Sequence, residues 1–110
     1  MPEHYDTFDQ YWLAYLNAHS KASTRAWHYF GTTLGVVGGL CTAWAVAWWA
    51  AAVVGFVGYG LALLSHPLVQ GNKPFARRPV WGIISDFRML WLASTGALGP
   101  HLERLRENAA

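Results

Sequence analysis

A long stretch without charge dominates this 110-residue sequence. From Ala26 through Asn72 it contains no Asp, Glu, Lys or Arg, and its two histidines, His28 and His66, lie near the two ends. Charged residues make up 13% of the chain and hydrophobic residues 54%, whereas about a quarter of the residues are charged in a typical soluble domain. The composition therefore favours a protein embedded in a membrane.

The apolar part, residues 29–65, is too long to cross a membrane once. As a single helix it would be about 55 Å long, and the hydrocarbon core of a bilayer is about 30 Å thick. A hairpin of two helices, each of about 18 residues, fits that thickness. We expect its bend around Ala43 to Trp49, where the tryptophans would form an interfacial belt.

Basic residues flank the predicted hairpin at one end, with Lys21 and Arg25 before it and Lys73, Arg77 and Arg78 after it. The positive-inside rule makes this side cytoplasmic. We therefore expect an integral membrane protein with both termini in the cytoplasm, in the plasma membrane of a bacterium or the endoplasmic reticulum of a eukaryote. A net charge of +2 is too small to indicate binding to nucleic acid.

Small residues recur at helical spacing in both halves of the hairpin and predict close packing of two helices. They are Gly31, Gly35 and Gly39 in the first half and Gly55 and Ala62 in the second. His28 lies three residues before Gly31, and His66 lies four residues after Ala62, so each histidine is on the small-residue face of its helix. An antiparallel hairpin returns both histidines to the same end.

An amphipathic helix is predicted over residues 7–18, with Asp6 or Thr7 as its N-cap and Gln10 completing a capping box. The same face continues to His19. After the polar connection that follows, Ser23 or Thr24 can cap the next helix.

Pro67 predicts a break or kink next to His66. A third helix is predicted over residues 80–95, either re-entrant, interfacial or packed against the hairpin. The predicted fold is thus all-α: an N-terminal amphipathic helix, a glycine-rich transmembrane hairpin and a third membrane-associated helix, in one domain of residues 1–110.

Three histidines, His19, His28 and His66, are expected to gather at one membrane face. Ionisable groups at such a depth are usually functional, and three neutral imidazoles can bind Fe, Zn, Cu or Ni and leave positions for substrate or O₂. Other interpretations stay open: a structural or scaffolding hairpin with interfacial histidines, a b-type haem between His28 and His66, or zinc-dependent hydrolysis. His4 and His101, near the chain ends, are expected to be solvated.

Four other side chains are candidates for the same site. Asp86 could be a fourth ligand, an acceptor for a ligand's N–H or an ion-pair partner of Arg88. Gln70 could reach the site if the chain stays helical through Pro67. Lys73 could hold a substrate carboxylate or anchor the chain at the membrane surface. Tyr59 lies on the same helix face as His66, where it could pack against the other helix or contact the substrate.

Two blocks of the sequence resemble the signature blocks of a small membrane-protein family. The blocks are YLNAHSKASTRAWHYFGT, residues 15–32, and HPLVQGNKPFARRPVWGIISDFRMLW, residues 66–91. The family is that of the fungal-type iron-dependent 2-hydroxy fatty acid dioxygenases of phytosphingosine breakdown, and the blocks with the hairpin between them cover nearly the whole chain. The chain departs from the family pattern at Gln70, where the family often has Glu, and at Pro67, where it often has an aromatic residue.

The resemblance implies that Fe²⁺ and O₂ remove one carbon from a 2-hydroxy fatty acid and leave a fatty acid one carbon shorter. It implicates His19, His28 and His66 as iron ligands. Its other motif positions are Asn72, Lys73, Pro74, Asp86 and Arg88. Together with the candidates above, this places Asp86 and Lys73 in catalysis and Asn72, Lys73, Tyr59 and Gln70 around the substrate. The expected partners are the 2-hydroxy fatty acid, O₂, membrane lipid and a second copy of the chain in a homodimer.

Overall fold

The computed structural model describes residues 5–73, 75 and 78–109. All regular structure in these residues is helical, which confirms the predicted all-α class. The five helices are α1 (Phe8–Ala18), α2 (residues 22–45), α3 (Trp48–Gln70), α4 (Pro79–Ser94) and α5 (Gly99–Ala109). They form two compact units: one has α1, α4 and α5, and the other, of residues 21–73, has α2 and α3.

In the first unit α1 is a core helix. Every residue from Tyr11 to Leu16 is buried, and the Tyr11 ring packs against Phe75 and Trp81 with centroids 5.2 and 5.5 Å away. Burial on all sides differs from the amphipathic surface helix that the spacing predicts. The reason is that both α4 and α5 pack against α1, which leaves it no broad solvent-facing side.

The predicted cap of α1 is present. Thr7 is the N-cap, and its hydroxyl accepts the Gln10 N–H at 3.2 Å, while the Gln10 side chain accepts the Asp6 N–H at 3.0 Å. The predicted cap of α2 is wrong. The N-cap of that helix is Lys21, which makes no side-chain capping bond, so Ser23 and Thr24 already lie inside the first turn.

In the second unit α2 and α3 pack as antiparallel neighbours joined through Val46 and Ala47. Their backbones approach most closely at Gly31 and Gly58, where a Cβ on either residue would overlap the other's carbonyl oxygen. The approach of Gly35 to Gly55 is looser, because an added Cβ would lie 3.7 Å from the Gly55 Cα, an ordinary van der Waals contact. The sequence reasoning named Gly55 and Ala62 but missed Gly58, which lies between them on the same face and makes the tightest approach.

Of the break or kink predicted at Pro67, the break does not occur. His66 keeps helical geometry, with φ −68° and ψ −59°, and residues His66–Gln70 form a π-helical turn that continues α3. A proline ring clashes with the carbonyl four residues earlier in an α-helix, and the wider π turn relieves that clash. The helix therefore passes through Pro67 and carries Gln70 to its last position.

Of the described residues, only α3 forms a helix long and apolar enough to cross a membrane by length and composition. A second crossing by α2 stays a prediction. The hairpin nevertheless exposes large apolar side chains along both helices, among them Leu40, Trp44, Trp48, Phe56 and Leu68. Trp44 is 93% exposed, which suits contact with lipid better than contact with water.

Candidate metal centre

Two histidines meet at the open end of the hairpin formed by α2 and α3. His28 lies in α2, three residues before Gly31, and His66 begins the last turn of α3. Because the glycine contact holds these helix faces together, the two imidazoles converge, with their Nε2 atoms 3.1 Å apart and their rings at 84°. Both side chains are buried.

The chain after His66 folds back and fixes which of its ring nitrogens carries the proton. Gly71 adopts a left-handed conformation, φ +82°, which glycine tolerates best. The N–H groups of Gly71 and Asn72 then both bind the His66 carbonyl, at 2.7 and 3.0 Å. The turn returns the Asn72 side chain to the ring, where its Oδ1 lies 2.8 Å from His66 Nδ1. Since a carbonyl oxygen only accepts, Nδ1 carries the proton and Nε2 carries the lone pair.

This arrangement fits a metal ion. Two nitrogens bound to one ion through bonds of about 2.1 Å cannot lie more than about 4.2 Å apart, and the observed 3.1 Å is within that limit. The lone pair on His66 Nε2, supported by an acceptor on Nδ1, is the usual state of a metal-binding histidine. A b-type haem between His28 and His66, the alternative considered above, would use the same two Nε2 atoms.

His19 lies in the other unit, as the C-cap residue of α1. Its side chain is 1% exposed, its Nδ1 donates to the Tyr15 carbonyl at 2.7 Å, and its ring stacks on that of Tyr15 at 4.2 Å between centroids. The same reasoning as for His66 places the lone pair on Nε2. His19 thus has the tautomer that a ligand needs and a ring held by its own helix.

Gln70 is close to the start of α2. Its Oε1 accepts the Thr24 hydroxyl at 2.8 Å and the Lys21 backbone N–H at 3.0 Å. The condition set from the sequence, a helix that continues through Pro67, is therefore met. Gln70 binds these two groups of α2, and its contact with substrate stays a prediction.

The remaining hairpin candidates differ in exposure. Asn72 is half-buried against His66, whereas Lys73 is exposed and follows directly. Tyr59 is 61% exposed and lies seven residues before His66 in α3, about 10 Å away along the helix axis. Pro74 and Arg77, which the sequence reasoning also named, lie outside the described residues, as does His4.

Asp86 and Arg88 both contact α1. The Tyr15 hydroxyl donates to Asp86 at 3.4 Å, which connects this carboxylate to the ring that stacks on His19. The Arg88 guanidinium lies 4.6 Å from the centre of the Trp12 ring, a cation–π contact. Within the first unit, Asp86 therefore supports the surroundings of His19.

His101 is half-buried and hydrogen-bonded, whereas the sequence predicted a solvated side chain. The Trp12 indole N–H donates to its Nδ1 at 3.0 Å. Burial, and then the charges of Arg88 and Arg104, lower the pKa of His101 below its usual value. His101 lies three residues after Leu98 and four before Leu105, which are both buried, so it shares their helix face. This spacing in the sequence could have predicted that His101 packs against the rest of the protein.

Fold and site together define a small helical protein with buried imidazoles that could bind a metal ion, and in two of them, His19 and His66, the proton is held on Nδ1. A family model described as 2-hydroxy-palmitic acid dioxygenase Mpo1-like matches residues 5–98, and the chain belongs to this family. Neither a curated protein nor a solved structure matches the chain.

Proposed function

We propose that the protein is a membrane-embedded, Fe(II)-dependent dioxygenase that removes one carbon from 2-hydroxy fatty acids. The observation that carries this proposal is the His28–His66 pair, whose Nε2 atoms converge while Asn72 holds the His66 proton on Nδ1. The description of the matching family names the same class of reaction.

We propose His19 as the third ligand of the same ion. It is buried, it offers one ring nitrogen as the other two do, and its Nδ1–H is already used by the Tyr15 carbonyl. Three neutral imidazoles leave coordination positions for substrate and O₂. Iron is favoured over zinc because zinc has no redox chemistry, which a dioxygenase requires.

Iron bound by these histidines would hold the hydroxyl and carboxylate of the substrate and supply the redox chemistry by which O₂ oxidises it. Other residues of the protein orient the histidines and supply a positive charge for the substrate. Asn72 keeps the lone pair of His66 on Nε2, and Asp86 steadies the Tyr15 ring against which His19 stacks. Lys73, one residue after Asn72, supplies the ammonium that attracts the substrate carboxylate.

The acyl chain of the substrate would lie in lipid along α3, from His66 past the exposed ring of Tyr59. The exposed apolar side chains of the hairpin support this position. Lys21, Arg25 and Lys73 favour a cytoplasmic location for the histidine end. The homodimer stays a prediction, and the glycine face that suggested it is used between α2 and α3.

Elemental analysis of detergent-purified protein tests the proposal. We expect bound iron in the wild type and its loss in a His28→Gln, His66→Gln double variant. His101→Gln is the matched control, because it removes a half-buried histidine that belongs to a different contact. Wild-type protein without iron, and without turnover of 2-hydroxypalmitate after iron is restored, would refute the dioxygenase and favour a structural hairpin.

A further inference from the structure

The open end of the hairpin is held by a contact that involves neither His28 nor His66. Helices α2 and α3 are joined covalently only at Val46 and Ala47, and their histidines lie at the opposite end. There the Gln70 Oε1, at the end of α3, accepts two hydrogen bonds from α2, from the Lys21 N–H and the Thr24 hydroxyl. Thr24 has no exposed surface.

These bonds replace a missing helix cap. The first N–H groups of a helix have no partner within it, and Lys21, the N-cap of α2, provides no side-chain acceptor. In a capping box, a Glu or Gln three residues into the helix reaches back to the N-cap N–H. In this protein Thr24 occupies that position, and Gln70 of α3 accepts the N-cap N–H while it binds the Thr24 hydroxyl.

The position of the contact relates it directly to the histidines. Thr24 lies four residues before His28, and Gln70 lies four residues after His66. Residues four apart stack on one helix face, so the Thr24–Gln70 bond lies one turn beyond the imidazole pair. A third bond, from Lys21 Nζ to the Val69 carbonyl at 3.0 Å, joins the same two segments.

We propose that Gln70 is a positioning residue that closes the open end of the hairpin and sets the separation of His28 and His66. Without it, the first turn of α2 loses its acceptor and the two helix ends separate by fraying, because the glycine contact at Gly31 and Gly58 lies further along the hairpin. The effect on metal binding rests on the proposed function, whereas the effect on helix separation does not.

A distance measurement on metal-free protein tests the positioning role. Spin labels at two exposed positions, Ser23 and Leu68, report the separation of the helix ends, in a Cys41→Ser background because Cys41 is exposed. We expect a narrow distance distribution in the parent and a broad, longer one in Gln70→Ala. Gln70→Glu keeps an acceptor oxygen and should restore the narrow distribution, while Thr24→Val should give partial broadening.

Gln10→Ala is the matched control, because Gln10 caps α1 in the other unit and should leave the distribution narrow. A distribution in Gln70→Ala as narrow as in the parent would overturn the proposal. Equal broadening in Gln70→Glu would overturn it as well, because the carboxylate keeps the acceptor on which it depends.

Metal affinity gives the second readout. We expect Gln70→Ala to weaken Fe²⁺ binding by about 10-fold or more, the usual effect of losing a group that orients a ligand, and Gln70→Glu to recover most of it. Unchanged affinity in Gln70→Ala would contradict the proposal. Absence of binding by the parent protein would refute the proposed function alone, since the distance measurement needs no metal.

Discussion

At the scale of single residues, the site depends on where histidine protons lie. His19 and His66 each donate Nδ1–H to an oxygen, from the Tyr15 backbone and the Asn72 side chain. His101 has the opposite tautomer, because its Nδ1 accepts the Trp12 indole N–H. The same side chain is thus prepared for metal binding in two places and for packing in a third.

Replacing Asn72 tests the first arrangement. Asn72→Leu removes the acceptor for His66 Nδ1–H at similar volume, so His66 can adopt the other tautomer, and we expect metal affinity to fall by about 10- to 100-fold. Asn72→Asp is the control, because its carboxylate still accepts. Metal retained during dialysis against a chelator measures the effect, and equal retention in both variants would show that Asn72 does not orient the ligand.

The half-buried His101 predicts a pH dependence of stability. Its pKa in the folded protein is below the ordinary value, about 6.5 when unfolded, so the unfolded chain takes up the proton first as the pH falls. Its contribution to stability is therefore complete above about pH 6.5 and is lost as the pH falls through that value toward the folded pKa. Thermal unfolding between pH 7.5 and 5.5 should show a smaller decline in His101→Gln than in wild type, and identical declines would contradict this origin.

At the scale of secondary-structure elements, the closeness of α2 and α3 depends on glycine. Gly58→Ala places a methyl group against the Gly31 carbonyl, and we expect a loss of about 1–3 kcal/mol, as in other overpacked interfaces. Gly60→Ala is the matched control two residues away, where an added Cβ meets nothing within 4 Å. Thermal unfolding should show that Gly58→Ala is less stable than Gly60→Ala. Equal stability of the two variants would mean that α2 and α3 do not need the close approach at Gly58.

The helical spacing of the histidines and the small residues predicted that His28 and His66 meet. Both histidines lie on small-residue faces, and these faces pack against each other in a hairpin. Of the break or kink that Pro67 suggested at the last turn of α3, the break is absent. The helix accommodates the proline because its turn widens to a π-helix. The wide turn is closed by the N–H groups of Gly71 and Asn72, which bind the His66 carbonyl. The cap of α2 was missed for a related reason, since its acceptor, Gln70, comes from another helix.

At the scale of the whole molecule, α3 is the described helix that meets the requirements for crossing a bilayer. Phe56 is 76% exposed near its middle. A lysine there costs about 2.5–3.5 kcal/mol on insertion scales, so Phe56→Lys should increase the fraction extracted from membranes by alkaline carbonate. Phe56→Leu should remain in the membrane as wild type does, and equal retention of Phe56→Lys would argue against a crossing by α3.

The central claim is the removal of one carbon with O₂. Complete oxidation of the 2-hydroxy acid to the shorter acid, CO₂ and water balances with one O₂ and needs no external reductant. The most direct measurement is O₂ consumption with mass spectrometry of products, using iron-loaded protein and 2-hydroxypalmitate, with palmitate as the substrate lacking the hydroxyl group. We predict pentadecanoate in equal amount to the O₂ consumed, and neither product nor O₂ uptake with palmitate. Iron-loaded, folded protein that leaves 2-hydroxypalmitate unchanged would contradict the account.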